Sequence, residues 1–140
     1  MFSGNQGFSP WPATGRFVPA MAAVLFRQAG EHLIFRVQVG AGHCNGFRIA
    51  HGGFLSTMAD TWLGYNVAHR LPDSARFVTA SLSIDFLKPV GEGDWIESEV
   101  DRVKLGATLC HATGAILSES VPVATMRAAF ARIAATDKRL

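Results

Sequence analysis

Hydrophobic and polar positions alternate along much of this chain. From His32 to Val39, Leu33, Phe35, Val37 and Val39 fall on one side and Ile34, Arg36 and Gln38 on the other. That two-residue period predicts a half-buried strand. Phe77–Leu87 repeats it, with Val78, Ala80, Leu82, Ile84 and Phe86 on one face and Thr79, Ser81, Ser83 and Asp85 on the other. Trp95–Lys104, Thr108–Leu117 and Val121–Ala134 read as further strands, and Val24–Phe26 as a short first one. Turns are expected at Gln28–Glu31 and Lys88–Asp94, and a loop at Gly40–Gly46. Between about Gly52 and Arg70 the period changes. Phe54, Leu55, Met58, Ala59, Trp62, Leu63 and Tyr65 recur at helical spacing around most of the circumference, which predicts one long buried helix. Leu71-Pro72-Asp73-Ser74 ends it.

The order of strands, one apolar helix and then long strands predicts an α+β domain, an antiparallel sheet wrapped around one central helix. Residues 1–22, rich in Gly, Pro, Ser and Phe, read as an irregular N-terminal arm. Its aromatics, Phe2, Phe8, Trp11 and Phe17, are expected to pack on the domain or on a partner. The domain is assigned to 23–135 and a C-terminal tail to 136–140.

Composition narrows the function classes. The chain has 140 residues, the size of one domain, and is 49% apolar with only 17% charged residues. Such a balance points to apolar surface covered by another subunit. The net charge is +2 and the basic residues are scattered, so there is no stripe for nucleic acid. No apolar run is long enough to cross a bilayer, and the N-terminus lacks the pattern of a secretory signal. Cys44 and Cys110 make no disulfide framework, which points to a reduced, cytoplasmic protein. The five histidines have no metal-ligand spacing with cysteines or acids, so no metal is expected. Ser56 has no nucleophile elbow around it.

The chemistry-bearing residues gather between Asn45 and Asp60. Asp60 sits among Met58, Ala59, Trp62 and Leu63. It is an exposed residue on a polar stripe with Ser56 and Asn66, or one hydrogen-bonded near Thr61, or else a carboxylate held in apolar surroundings for a chemical task. Gly52-Gly53, at the helix start, either lets the helix pack closely or presents a free amide to a developing oxyanion. The two groups are eight residues apart on one helix, roughly 12 Å along the axis. A carboxylate and an oxyanion donor must both reach the same reacting group within about 3–4 Å. If both are catalytic, the site is shared by two antiparallel helices across a two-fold axis.

The strings HGGFLSTMADTWLGYNVA and VTASLSIDFLKPVGEGDWIESEVDRVKLGAT resemble the PaaI-type branch of the hotdog-fold thioesterases, relatives of the 4-hydroxybenzoyl-CoA thioesterases. The resemblance covers roughly residues 31–133. It implies a hotdog fold, acyl-CoA hydrolysis and a homo-oligomer, a dimer at least and by resemblance a tetramer. Coenzyme A enters only as part of the substrate. By the same resemblance Asp60 is the nucleophile or general base, Gly52 the amide that polarises the thioester carbonyl, and Asn45 a side chain that orients the carbonyl or the water. His51 is orienting, and Thr79 holds the attacking water. Asp60 and Thr79 would come from one subunit, Asn45 and Gly52 from the other. Gly106 matches a glycine where backbone approaches the ligand. Phe54, Trp62 and Tyr65 are candidates for an acyl pocket suited to an aromatic or medium chain, and equally ordinary core. Lys88, Arg102, Lys104 and Arg127 are candidate cations for the phosphates of coenzyme A. A non-catalytic acyl-CoA-binding or sensor protein is the alternative reading, and a hydratase lacks its acid/base histidine pattern.

Overall fold

The computed structural model describes residues 7–134; the expectations for Phe2 and the C-terminal tail fall outside them. Seven strands form one antiparallel sheet: β1 (Ser9–Pro10), β2 (Leu25–Ala29), β3 (His32–Gln38), β4 (Arg76–Phe86), β5 (Trp95–Lys104), β6 (Leu109–Ser118) and β7 (Val121–Ile133). Their spatial order is β1-β2-β3-β5-β6-β7-β4. A short helix α1 (Phe17–Met21) lies in the arm, and the long helix α2 (Gly52–Ala68) connects β3 to β4. The arm is more regular than its composition predicts, since Ser9 and Pro10 pair with Phe26 and Leu25. Strand β2 runs to Ala29, which reduces the expected turn to Gly30-Glu31. Gly30 takes φ 61° there, a backbone region open to glycine.

Helix α2 packs on the sheet through Phe54, Leu55, Met58, Ala59, Trp62, Leu63 and Val67, all buried. Facing them are Leu33, Phe35 and Val37 of β3, Ile96 of β5, Ile116 of β6, and Met126, Ala128 and Phe130 of β7. Asn66 is fully buried among these apolar groups and is satisfied three times over. Its Oδ1 accepts from the Leu33 amide (2.9 Å), and its Nδ2 donates to the carbonyls of Leu33 (3.1 Å) and Trp62 (2.9 Å). The side chain thus continues the hydrogen bonding of β3 and pins the helix to it. Asn66 does not share a polar stripe with Asp60.

The stripe of α2 left half-open is small and polar: Ser56, Thr57, Asp60, Thr61, Gly64, Tyr65 and Ala68. Strand β4 runs beside it as the sheet's edge, paired among the described residues with β7 alone. Its alternation departs from the sequence pattern. A register shift between Thr79 and Ser81 makes Ala80 a bulge. One extra residue reverses which parity faces inward. Phe77 therefore packs on the core together with Leu82 and Ile84, and Val78, expected on that face, is exposed. The same reversal turns Thr79 inward, toward α2.

Asn66→Ala leaves both Leu33 backbone groups without a partner and is expected to lower the unfolding free energy by about 2–4 kcal/mol. Urea denaturation will show this as a lower midpoint at constant slope. A midpoint equal to the parent's would mean that Asn66 does not hold the helix.

Candidate active site

The bulge brings the Thr79 hydroxyl to Asp60, where Thr79 Oγ1 donates to Asp60 Oδ1 at 2.6 Å. Among the described residues no donor reaches Asp60 Oδ2, so one carboxylate oxygen is fixed and the other is open. Two concavities meet at this pair. One, of about 410 Å³, is lined by Val18, Gly64, Tyr65, Ala68, Phe77 and Phe130 along with Asp60, Thr61 and Thr79. The other, of about 380 Å³, runs toward the start of the helix past Ser56, Thr57, Phe17 and Leu82. Asp60 is therefore a half-buried acid on a cleft floor, between an apolar and a more polar chamber.

His51 caps α2. Its Nδ1 accepts from the Gly53 amide at 2.8 Å, and its carbonyl accepts from Leu55. This uses the Gly53 donor and fixes the imidazole as an acceptor on that nitrogen. The Gly52 amide has no acceptor among the described residues. It is the open donor at the positive end of the helix. A Cβ on Gly52 would stand 3.3 Å from the Phe86 ring, so close packing alone already favours glycine there.

Asn45 is exposed in the loop before the helix and folds that loop around its own side chain. Asn45 Oδ1 accepts from the amides of Phe47 (2.9 Å) and Ile49 (3.3 Å). With the oxygen so used, the Nδ2 donor is directed outward with no partner among the described residues. Next to it, Phe47 is 84% exposed.

Within one chain Asp60 and Thr79 come together, and Gly52 does not join them. Gly52 lines a separate concavity of about 280 Å³ with Ile49, Leu55, Phe86, Leu87 and Lys88. The helix is unbroken from Gly52 to Ala68, so the separation of roughly 12 Å expected from its rise holds. Tyr65 lines the apolar chamber at Asp60. Phe54 and Trp62 do not, because both are in the core: Trp62 packs parallel to Phe35 and Phe54 stacks on His43. Arg102, Lys104 and Arg127 alternate with the inward-facing Val103, Met126 and Ala128 and so project from the sheet face opposite the helix. Only Lys88 of the four candidate cations stands by a helix terminus. Gly106 is glycine for an internal reason, since a Cβ there would collide with the Leu109 carbonyl. Sequence reasoning missed Asn66, Val18 and the part played by Ala80. A lone Asn one turn after Trp62 on the apolar face of the helix was the available signal for Asn66.

An antiparallel sheet closed over one central helix is the hotdog architecture. Comparison with known proteins identifies the family. Residues 47–125, more than half of the chain, match the model of the thioesterase superfamily. A Pseudomonas aeruginosa protein provisionally named an esterase is 31% identical over 131 residues, 93% of this chain and 98% of the relative. The phenylacetic acid degradation protein PaaI of Thermus thermophilus superposes with a TM-score of 0.73 at 26% identity, over 84% of this chain and 98% of that one. A Bacillus halodurans protein solved with coenzyme A gives 0.66 at 28% identity, over 71% of this chain and 66% of that one. The chain belongs to the thioesterase superfamily and is a thioester hydrolase of the hotdog fold.

His51→Ala removes the cap and is expected to cost about 0.5–2 kcal/mol. A thermal melt measures it, and a melting temperature identical to the parent's would show the cap to be dispensable.

Proposed function

We propose that the chain hydrolyses acyl-CoA thioesters at a site shared by two copies, Asp60 and Thr79 from one and Asn45 and Gly52 from the other. The observation that carries this reading is the Thr79–Asp60 hydrogen bond of 2.6 Å at the floor of a mostly apolar cleft. It leaves Oδ2 free for chemistry and holds the carboxylate in one orientation. Along one route Oδ2 takes a proton from a water, whose hydroxide adds to the thioester carbonyl. Along the other, Oδ2 itself adds, and water then cleaves the mixed anhydride. In both the carbonyl oxygen gains negative charge, the C–S bond breaks and the coenzyme A thiolate leaves. The Gly52 amide and the Asn45 Nδ2 of the partner subunit are the donors available to that oxyanion. Thiolate is a good enough leaving group that a carboxylate and these donors suffice.

Three observations support the shared arrangement. Gly52 and Asp60 open into different concavities of the same chain. Among the described residues the 11-residue strand β4 ends the sheet with one edge unpaired, which proteins normally cover. Exposed Phe47, Val78, Phe86 and Leu87 lie on the loop before α2 and along or just beyond that edge. A second copy pairing β4 with β4 covers all of these and sets the two helices antiparallel, and such dimers are further proposed to pair into a tetramer. The coenzyme A found with the Bacillus halodurans protein supports the choice of thiol. Lys88 of the partner subunit, beside Gly52, is the cation we assign to its phosphates. Arg102, Lys104 and Arg127 lie outside this site in a single chain. Both cysteines are free, in keeping with a cytoplasmic location.

Asp60→Asn and Asp60→Ala are each expected to lower kcat/KM for acyl-CoA by about 10²–10⁴, measured by thiol release. Unchanged turnover in both would remove Asp60 from the mechanism. Thr79→Val should lose part of the activity and Thr79→Ser restore it. The shared site has its own test. Gly52→Pro deletes the amide hydrogen at the first helical position, whose backbone accepts proline, with the exposed Phe86 ring giving way to the new Cβ. Co-expressed with Asp60→Asn, it forms mixed dimers that keep one intact site, so about a quarter of parental activity should return. Activity no higher than in either variant alone would contradict the intersubunit site.

A further inference from the structure

The N-terminal arm supplies a wall of the chamber beside Asp60, and we propose that Val18 of α1 is a specificity-determining residue that limits the acyl group admitted there. The inference rests on the acyl-CoA reading above and adds to it where the acyl group goes and what bounds it. The chamber of about 410 Å³ has Asp60, Thr61 and Thr79 at its polar end, and Val18, Gly64, Tyr65, Phe77 and Phe130 are among its other walls. That size lies in the range of small-molecule sites. Beyond the Asp60, Thr61 and Thr79 that the two concavities share, this one is walled by apolar groups and Tyr65, which suit an acyl chain, whereas the other adds Ser56 and Thr57 to Phe17 and Leu82. A thioester with its carbonyl at Asp60 thus directs its acyl end toward Val18.

A wall selects by size only if it is held in place, and the arm is anchored before α1 by Trp11 and at the end of α1 by His43. Trp11 inserts edge-on among Phe26, Phe35 and Tyr65, with ring centroids 4.8, 5.0 and 4.6 Å away. At the other end, His43 Nε2 meets the Met21 carbonyl at 2.7 Å, and His43 Nδ1 accepts from the Gly40 amide at 2.9 Å. With Nδ1 an acceptor, Nε2 carries the proton and donates to Met21. The imidazole therefore ties the arm to the loop that leads into Asn45. Trp11 also braces Tyr65, itself a chamber wall, so two of the bounding side chains depend on the arm. The arm lies outside the stretch matched by the family model, residues 47–125. On the helix side Gly64 sets the width, because a Cβ there would come to 3.4 Å from Phe130 and 4.0 Å from Phe77.

The test is a kcat/KM series from acetyl- through hexanoyl- and octanoyl- to decanoyl-CoA with Val18→Phe and Val18→Ala. Val18→Phe is expected to lower the octanoyl-to-acetyl ratio by about tenfold or more, and Val18→Ala to move the optimum to a longer chain. Gly64→Ala serves as the folding control. It replaces a mid-helix glycine with a better helix former and fits at ordinary contact distance, so a lower ratio with an undiminished melting temperature comes from lost chamber volume. If the parent hydrolyses the series and both Val18 variants keep its profile, or lose all lengths equally, the arm does not select and the inference fails while the Asp60 reading stands. If the parent hydrolyses none of the series, the acyl-CoA reading fails first and the inference with it.

Discussion

The structure depends on how one helix is fixed in the concave face of one sheet. Met58, Ala59, Trp62, Leu63 and Val67 are all inaccessible to solvent, and each large apolar side chain so placed contributes about 1.5–3 kcal/mol. Rotating α2 by a single position would expose several of them and leave the Asn66 amide and the Leu33 backbone unpaired. The rotation of the helix is therefore set by the core and not by the cleft. Asp60 is half-open because it occupies the remaining stripe, beside Ser56, Thr57, Thr61 and Gly64. The carboxylate inherits its position from residues that never touch a substrate.

How much of this was legible follows from the length of each pattern. The helix carried over from sequence almost to its ends because its apolar spacing persists for 17 residues. The strands carried over because their alternation persists too. What failed was the phase of β4: alternation read straight through placed Val78 inward and Thr79 outward, and the bulge at Ala80 inverts both. No residue near Ala80 announces a bulge, since alanine fits either conformation. The Thr79–Asp60 contact, which depends on it, was available only through resemblance. The aromatics misled for a different reason. Phe54, Trp62 and Tyr65 look alike by size, but only Tyr65 falls on the open stripe, and that choice was made by helix rotation. Residues 7–22 lack periodicity, so composition showed an irregular arm where the structure has a strand pair and a short helix held by Trp11 and His43.

The candidate catalytic groups occupy three kinds of support. Asp60 sits on a packed helix, Thr79 on a bulged edge strand, and Asn45 on a loop closed by its own side chain. Gly52 belongs to the same helix as Asp60 but lies more than two turns away. Each arrangement leaves one donor or acceptor open while using its neighbours for structure: Oδ1 is bound and Oδ2 is not, the Gly53 amide is capped and the Gly52 amide is not. The protein holds reactive atoms still by satisfying the groups next to them.

The continuous helix between Gly52 and Asp60 also limits how this chain can drift in length. Adding or removing one residue inside that span swings everything beyond it by about 100°: a deletion carries the acid into the buried slot of Ala59, and an insertion carries it to the slot of Thr61 and Thr61 into that of Trp62. Such indels between residues 53 and 59 therefore disturb the core and the position of the acid together. In any collection of descendants of this gene, the spacing between the glycine pair and the aspartate should stay constant after most of the surrounding letters have changed.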